Sequence, residues 1–381
     1  MIRVDKYLKG DKVIWAVVIL LSLFSLVMAY SASSNLAYRI ADGDASQFLF
    51  RHARMIVLGL VIMLYVQNMS FKYLSKLSVI AIWVTAVLLL VTLLFGRNVN
   101  SASRWIMGFQ PSDLAKLMLV IYVARKLAMS GDKIKNFKEG LLPVLIPMGF
   151  ICILILPANF STAALLFATC FIMLFIAGAA LKHLAAMVGG ALALFGLLLL
   201  VNTVNPDLLP RLNTWVTRIS SYDSGNVEEN YQATQAKLGI ANGGIIGTGP
   251  GNGIIKNDIY SAQSDFVYAA ALEEFGLIIA GIGILLAYII LFFRAIRIGL
   301  KTESKFGGFM VLGLSVGFIL QALVNMGVAV NLLPVTGQPL PLISMGGTSI
   351  LFTCFALGII LSVSKTVYQE NETEIENPAT A

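Results

Sequence analysis

The chain has 381 residues, of which 58% are apolar and only 12% charged, with a formal net charge of +7. Soluble proteins carry about a quarter charged residues, so this composition excludes a water-soluble domain and belongs in lipid. The basic residues form no stripe and are not interleaved with aromatics, so nothing suggests nucleic acid.

Apolar runs occupy residues 13–30, 55–66, 77–95, 114–128, 141–156, 162–180 and 184–201, then 266–293, 309–330 and 349–363. Segments this apolar, lacking a strict period of two, are helices rather than barrel strands. A bilayer core takes roughly 20 helical residues, so the runs at 55 and 114 must borrow polar flanks. The expected fold is an all-α polytopic membrane protein with about ten transmembrane helices and both termini cytoplasmic. Charge agrees, because alternating crossings from an inside N-terminus put most of the 27 Lys and Arg on the cytoplasmic side. The first run ends in small residues at 29–34 but further spans follow, so it reads as an uncleaved signal anchor. Cys152, Cys170 and Cys354 fall within spans without metal-ligand spacing and read as packing residues. His52 and His183 sit at opposite faces with no partner motif, and neither suggests a site.

Residues 1–366 read as a single transmembrane domain containing a long extracytoplasmic loop at 205–264, between the seventh and eighth spans. Its first part places Leu208, Leu212, Trp215, Val216 and Ile219 on one helical stripe edged by Arg211 and Arg218, an interfacial helix with snorkelling arginines. Glycines at 243–253 have no strand before them and no Lys-Ser/Thr after them, which rejects a nucleotide loop. They provide a tight turn and close backbone approach, to a ligand or to the bundle. The last outer loop, 333–349, has no charges, and irregular backbone near membrane depth is tolerated only when buried or lining a cavity, so it is a candidate re-entrant segment. The acidic residues at 367–381 read as a disordered cytoplasmic tail. No internal repeat is visible, which counts against transporters built on inverted halves.

Acids at or inside spans are costly and carry a functional expectation, and here they are Asp113, Asp265, Glu273 and Glu274. Asp265 precedes the run beginning at Phe266, at the outer mouth of the bundle. A helix N-cap and a functional carboxylate fit that position equally well. In Gln110-Pro111-Ser112-Asp113, followed by Lys116, a helix start is joined to an i,i+3 ion pair. Spacing does not decide between a bundle-holding pair and one that faces an anionic substrate.

The order and spacing of several stretches resemble the SEDS family (shape, elongation, division and sporulation proteins). They are residues 100–105, 110–116, Tyr231-Gln232 through Gly243-Gly244 to Asn252, Ser264-Asp265-Phe266, Glu273-Glu274-Phe275-Gly276, Asn325 and 334–349. The resemblance implies a peptidoglycan glycosyltransferase of the bacterial cytoplasmic membrane that polymerises lipid II on the outer face. Its implied partners are a class B penicillin-binding protein and other divisome proteins, since the 334–349 loop leans towards the division members. The family's essential aspartate maps onto Asp265, and its Pro-Ser-Glu acid and following lysine onto Asp113 and Lys116. Two departures stand out. Asp113 is shorter than the usual Glu by one methylene, and Pro157-Ala158-Asn159-Phe160-Ser161-Thr162 replaces Pro-Asp-Leu-Gly-Thr, leaving no acid and no catalytic task there.

Joining lipid-linked disaccharides displaces a diphosphate-lipid from the anomeric carbon by an acceptor hydroxyl, with inversion. A diphosphate leaves without the proton that glycosidases must supply, so one carboxylate suffices. Asp265 is the expected general base, with Lys116 and Arg104 stabilising the diphosphate. A divalent cation is a further candidate there, although no acidic cluster demands one. Gln110, Asp113, Tyr231, Gln232, Gln235, Lys256 and Ser344 are expected substrate contacts. The rivals are a flippase for the lipid-linked precursor, an elongation-type polymerase, and a scaffold that only recruits the penicillin-binding protein.

Overall fold

A computed structural model describes residues 8–33, 44–99, 102–105, 108–204, 210–224, 231–254, 258–259 and 262–376. The fold is helical. In chain order come α1 (Lys12–Ala32), α2 (Ser46–Val66), α3 (Lys72–Phe95), α4 (Pro111–Ser130), α5 (Leu142–Ile155), α6 (Phe160–Ile176) and α7 (Leu181–Val204). There follow α8 (Pro210–Ser224), α9 (Tyr231–Gly243), α10 (Val267–Gly276), α11 (Leu285–Lys301), α12 (Lys305–Ala329) and α13 (Gly347–Glu376). A short antiparallel hairpin, β1 (Arg97–Val99) and β2 (Ala102–Trp105), sits between α3 and α4.

Among the described residues, eight helical stretches are long and apolar enough to cross a membrane. The run at 55 belongs to them because Ser46 to Arg54 lengthen it to 21 residues. Two of the expected crossings fall outside that set. α6 is apolar but has 17 residues, and α4 carries Asp113, Lys116, Arg125 and Lys126. Burial explains how α4 tolerates its charges, since every residue from Leu117 to Ala124 is buried and the helix meets protein rather than lipid. α13 runs on through Glu376, beyond the point where the tail was expected to begin, and no Gly or Pro interrupts residues 359–376.

The chain packs as two compact units. The first comprises Met1–Ser70, Gly225–Thr302 and Phe318–Ala381, and the second Phe71–Ser224 and Glu303–Gly317.

In the first unit, Asp11 caps α1 by accepting from the Val13 and Ile14 amides at 2.8 and 3.2 Å. Its other oxygen takes the Arg294 guanidinium, which also donates to the Tyr368 hydroxyl at 3.3 Å. Twenty residues further along α1, Ser31 donates to the Glu274 carboxylate, and Glu274 is likewise 20 residues from Arg294. These two contacts mark levels about 30 Å apart, a hydrocarbon thickness. The Asp11 level is the basic end, near Lys9, Lys12, Arg297 and Lys301.

The apolar run starting at 266 is not one rod. A straight helix would separate residues 268 and 281 by about 20 Å, yet the Tyr268 hydroxyl donates to the Gly281 carbonyl at 3.0 Å. The chain bends back at Gly276, whose φ of 70° lies in the left-handed region. α10 is therefore a half-helix folded against Leu277–Ile284, a wider π-helical stretch that leads into α11. Residues Phe266 to Glu274 are all buried, so α10 faces protein on every side.

In the second unit α4 packs against α12, where Gly313 meets Val120 and Met173 of α6 so closely that a Cβ would lie 2.7 and 2.5 Å from their side chains. α8 is the expected stripe-bearing helix. Leu212 is buried and the Trp215 ring stacks on Phe160 of α6 with centroids 4.7 Å apart, while Asn202 of α7 donates to Asn213 at 2.6 Å. Leu208 and the side chains of Arg211 and Ile219 lie outside the described residues.

Candidate active site

The uncharged loop at 334–346 forms the frame. Pro334, Pro339 and Pro341 remove backbone donors, and Leu342 sits at φ 66°, so no regular ladder can satisfy the carbonyls. Side chains from several helices do so instead. Asn325 of α12 donates to the Gln338 carbonyl at 2.8 Å and Gln321 to Pro339 at 2.9 Å. The Tyr288 hydroxyl of α11 donates to Pro341, and Ser25 of α1 donates to Ile343 at 2.8 Å. Ser25 lies six residues below Ser31, so the loop tip descends about 9 Å from the Glu274 level towards the basic end. Gln338 and Leu340 to Ser344 are buried in protein there, as fits the candidate re-entrant segment.

His52 was unpromising in the sequence, yet it belongs to this frame. Its Nε2 is 2.6 Å from the Ser25 hydroxyl, whose one proton goes to Ile343. Nε2 therefore carries the hydrogen and donates.

Asp265 is attached to the same frame through its backbone. The Gln263 carbonyl accepts from the Met345 amide at 2.9 Å, the Ser264 carbonyl from the Ser344 hydroxyl at 2.5 Å, and the Asp265 carbonyl from Asn325 at 2.9 Å. Three successive carbonyls are thus held by three separate donors. Above them the Asp265 side chain is half-buried, and its Oδ2 lies 3.6 Å from the place a Cβ would occupy on Gly337. The N-cap position of α10 falls on Phe266, one residue later. Asp265 immediately precedes the N-terminal end of that helix, where a negative charge is favoured. Ser344, expected to touch substrate, is buried, and its hydroxyl also accepts the Leu340 amide at 2.7 Å, so the structure uses it inside the frame.

The glycine-rich stretch answers the open choice between ligand and bundle in favour of the bundle. α9 lays Ala233, Ala236, Gly239 and Gly243 against α10. A Cβ on Gly243 would be 2.4 Å from the Leu272 carbonyl, and one on Gly247 2.4 Å from that of Glu274. The Glu273 carbonyl accepts from the Thr248 amide at 2.9 Å, and its carboxylate accepts the Ile254 amide at 2.8 Å and the Asn242 side chain at 3.1 Å. Both buried acids, Glu273 and Glu274, thereby hold backbone and side-chain donors within the first unit. Tyr231, Gln232 and Gln235 stand at the start of α9, Tyr231 exposed and both glutamines half-buried. Lys256 lies outside the described residues.

In the second unit the expected ion pair is present. Lys116 Nζ is 2.9 Å from Asp113 Oδ1, the acid 5% exposed and the lysine 23%. Pro111 at the first turn starts the helix, and Gln110 donates to the Ser112 hydroxyl at 2.9 Å. Asn159 caps α6 by accepting the Thr162 amide at 3.3 Å, a structural task consistent with the missing acid of that loop. Beside Ser112 and Asn159 is a crevice of about 20 Å³, room for one water. Arg104 is on β2, and its side chain lies outside what the structure describes. Among the described residues no three His, Cys, Asp or Glu side chains converge to hold a metal.

In the sequence Gln321, Ser25, Tyr288 and His52 carry no assigned role, and Asn325 appears only among the positions on which the family resemblance rests. The available signal was a polar side chain inside an apolar run, which is costly unless it has a partner.

Comparison with known proteins agrees with this architecture. A family model described as "Cell cycle protein", covering FtsW, RodA and SpoVE, matches residues 11–369. Proteins named "Probable peptidoglycan glycosyltransferase FtsW" share the chain nearly end to end. That of Geobacter sulfurreducens is 32% identical over 376 residues, 95% of this chain and 96% of its own. Those of Geobacter metallireducens and Escherichia coli O157:H7 are 34% and 31% identical, covering 95% and 94% of this chain and 96% and 87% of theirs. Among solved structures, a chain of a peptidoglycan synthase complex that coordinates polymerization and crosslinking superposes with a TM-score of 0.74 at 27% identity, covering 94% of this chain and 99% of that one. The rod shape determining protein RodA of Thermus thermophilus gives 0.69 at 25%, covering 96% and 100%. This multi-pass helical chain therefore belongs to the FtsW, RodA and SpoVE family of cell cycle proteins.

Proposed function

We infer that the chain is a peptidoglycan glycosyltransferase of the bacterial cytoplasmic membrane that polymerises lipid II at the outer face during septal synthesis. The relatives' names support the reaction class and the division role. The observation that carries the site is Asp265, a half-buried carboxylate whose backbone is fixed through three successive carbonyls. A base held this rigidly loses little on orientation when it takes the proton of the acceptor sugar's 4-hydroxyl. The freed oxygen attacks the anomeric carbon of the donor with inversion, and the diphosphate-lipid departs with its electron pair. Lys116 and Arg104 keep the role expected from the sequence, stabilising the developing charge of a diphosphate. A class B penicillin-binding protein is the proposed partner, in keeping with the complex that one structural neighbour forms.

The test is Asp265→Asn in the purified chain with its partner, given labelled lipid II. A positioned base contributes about 10²–10⁴-fold, so the polymerisation rate should fall at least a hundredfold with the protein still folded. A near-normal rate removes Asp265 from this role.

The broken α10 and the candidate re-entrant loop are also devices of transporters, which favours a flippase as the second reading. Movement of labelled lipid II across proteoliposomes without polymer would reverse the ranking. Depletion separates the two polymerase roles, filaments meaning division and rounding meaning elongation.

A further inference from the structure

We propose that Asn325 is a positioning residue for the reaction, acting on Asp265 through the backbone without touching substrate. The inference rests on Asp265 being the base. Asn325 is fully buried in α12, and both hydrogens of its carboxamide are used, one on the Asp265 carbonyl at 2.9 Å and one on Gln338 at 2.8 Å. This side chain joins the peptide of Asp265 to the loop residue next to Gly337, over which the Asp265 carboxylate lies.

The amide orientation is fixed, because the opposite one would aim its oxygen at two carbonyl oxygens. That leaves Oδ1 buried with no hydrogen-bond partner among the described residues. An orphaned acceptor costs free energy that an apolar side chain of the same size would not incur. Packing alone would favour leucine here. The asparagine is retained for its two donors, and those donors set the distance between Asp265 and Gly337. The neighbouring clamps, Ser344 on Ser264 and the Met345 amide on Gln263, hold the residues before Asp265 but not Asp265 itself. Losing Asn325 therefore removes a donor from the very peptide whose carboxylate must be aimed. A displacement near 1 Å costs on the order of 10²-fold in rate while leaving substrate contacts elsewhere intact.

The experiment uses the full chain with its transpeptidase partner and a labelled lipid-linked disaccharide diphosphate. Wild type, Asp265→Asn, Asn325→Leu and the double variant are compared for kcat, KM and thermal unfolding. The expected result is a kcat of Asn325→Leu lower by about 10–100-fold with KM within about twofold. Added to Asp265→Asn, the same change should lower the rate no further, since both act on one group. A kcat within about twofold of wild type, a raised KM with kcat unchanged, or a full additive loss in the double variant would overturn the proposal. If Asn325→Leu does not fold, Asn325→Ser, which keeps one small donor, is judged by the same criteria. Near-normal turnover by Asp265→Asn overturns the base assignment itself, and that outcome is distinguishable from an Asn325 variant without effect.

Discussion

Gly276→Ala should unfold the corner on which α10 turns back. A Cβ there would lie 2.4 Å from the Ile245 carbonyl oxygen, 2.4 Å from the Ile246 carbonyl carbon and 2.5 Å from the Gly247 nitrogen. All three are backbone atoms, so no side-chain rotation relieves the clash. Holding a non-glycine residue at a φ of 70° costs about 1 kcal/mol or more. Moving the two segments apart also breaks the bonds from the Leu277 amide to the Gly244 carbonyl at 3.0 Å and from Ile278 to Ile245 at 3.4 Å. At about 1 kcal/mol each, those bring the total to roughly 3 kcal/mol before any steric term. Thermal unfolding of the detergent-solubilised protein should then show a fall of at least about 5 °C. Gly189→Ala on α7 is the control. Its Cβ would meet nothing within 4 Å, and alanine is the better helix former, so the midpoint should hold or rise. An unchanged midpoint for Gly276→Ala would mean that the chain does not turn tightly at this residue, and the folded-back α10 would have to be abandoned.

Two further expectations concern the ion pairs. Lys116→Ala should lower polymerisation at least about tenfold with the protein still inserted. Changing Asp113 to Ala as well should recover stability, because a buried carboxylate is costlier alone than absent. Loss of folded protein in Lys116→Ala would instead make the pair structural. Arg294→Met should destabilise the first unit by about 3 kcal/mol, the low end for breaking a buried pair because the guanidinium is partly exposed. Asp11→Asn should cost less, since Asn still caps α1. Equal unfolding midpoints for wild type and Arg294→Met would refute the clamp.

The parts legible in the sequence are those where composition and chemistry coincide. A loop without charges, interrupted by three prolines, announces that its carbonyls will be buried and answered by other groups, as they are at Gln338, Pro339, Pro341 and Ile343. Asp265 stands out because acids are scarce near the spans. The bend at Gly276 was not legible, because a buried half-helix and a lipid-facing one are equally apolar, and residues 266–293 form one uninterrupted run. The glycine stretch was recognisable as a place of close approach, yet only three-dimensional packing shows that it approaches α10. Ser25 and His52 carried the weakest signal, single polar groups whose partners lie far away in sequence.

That distance bears on how the protein is made. The donors that complete the frame begin at Ser25, and the carbonyl it meets belongs to Ile343, 318 residues later. Met345, which anchors Gln263, follows closely behind. A chain emerging from the ribosome therefore completes the frame around Asp265 only after Met345 has been made. With Asp265 as the proposed base, turnover is expected only after the 334–346 loop has docked among these donors. Incomplete chains, whatever spans they have already inserted, are expected to remain silent in the membrane.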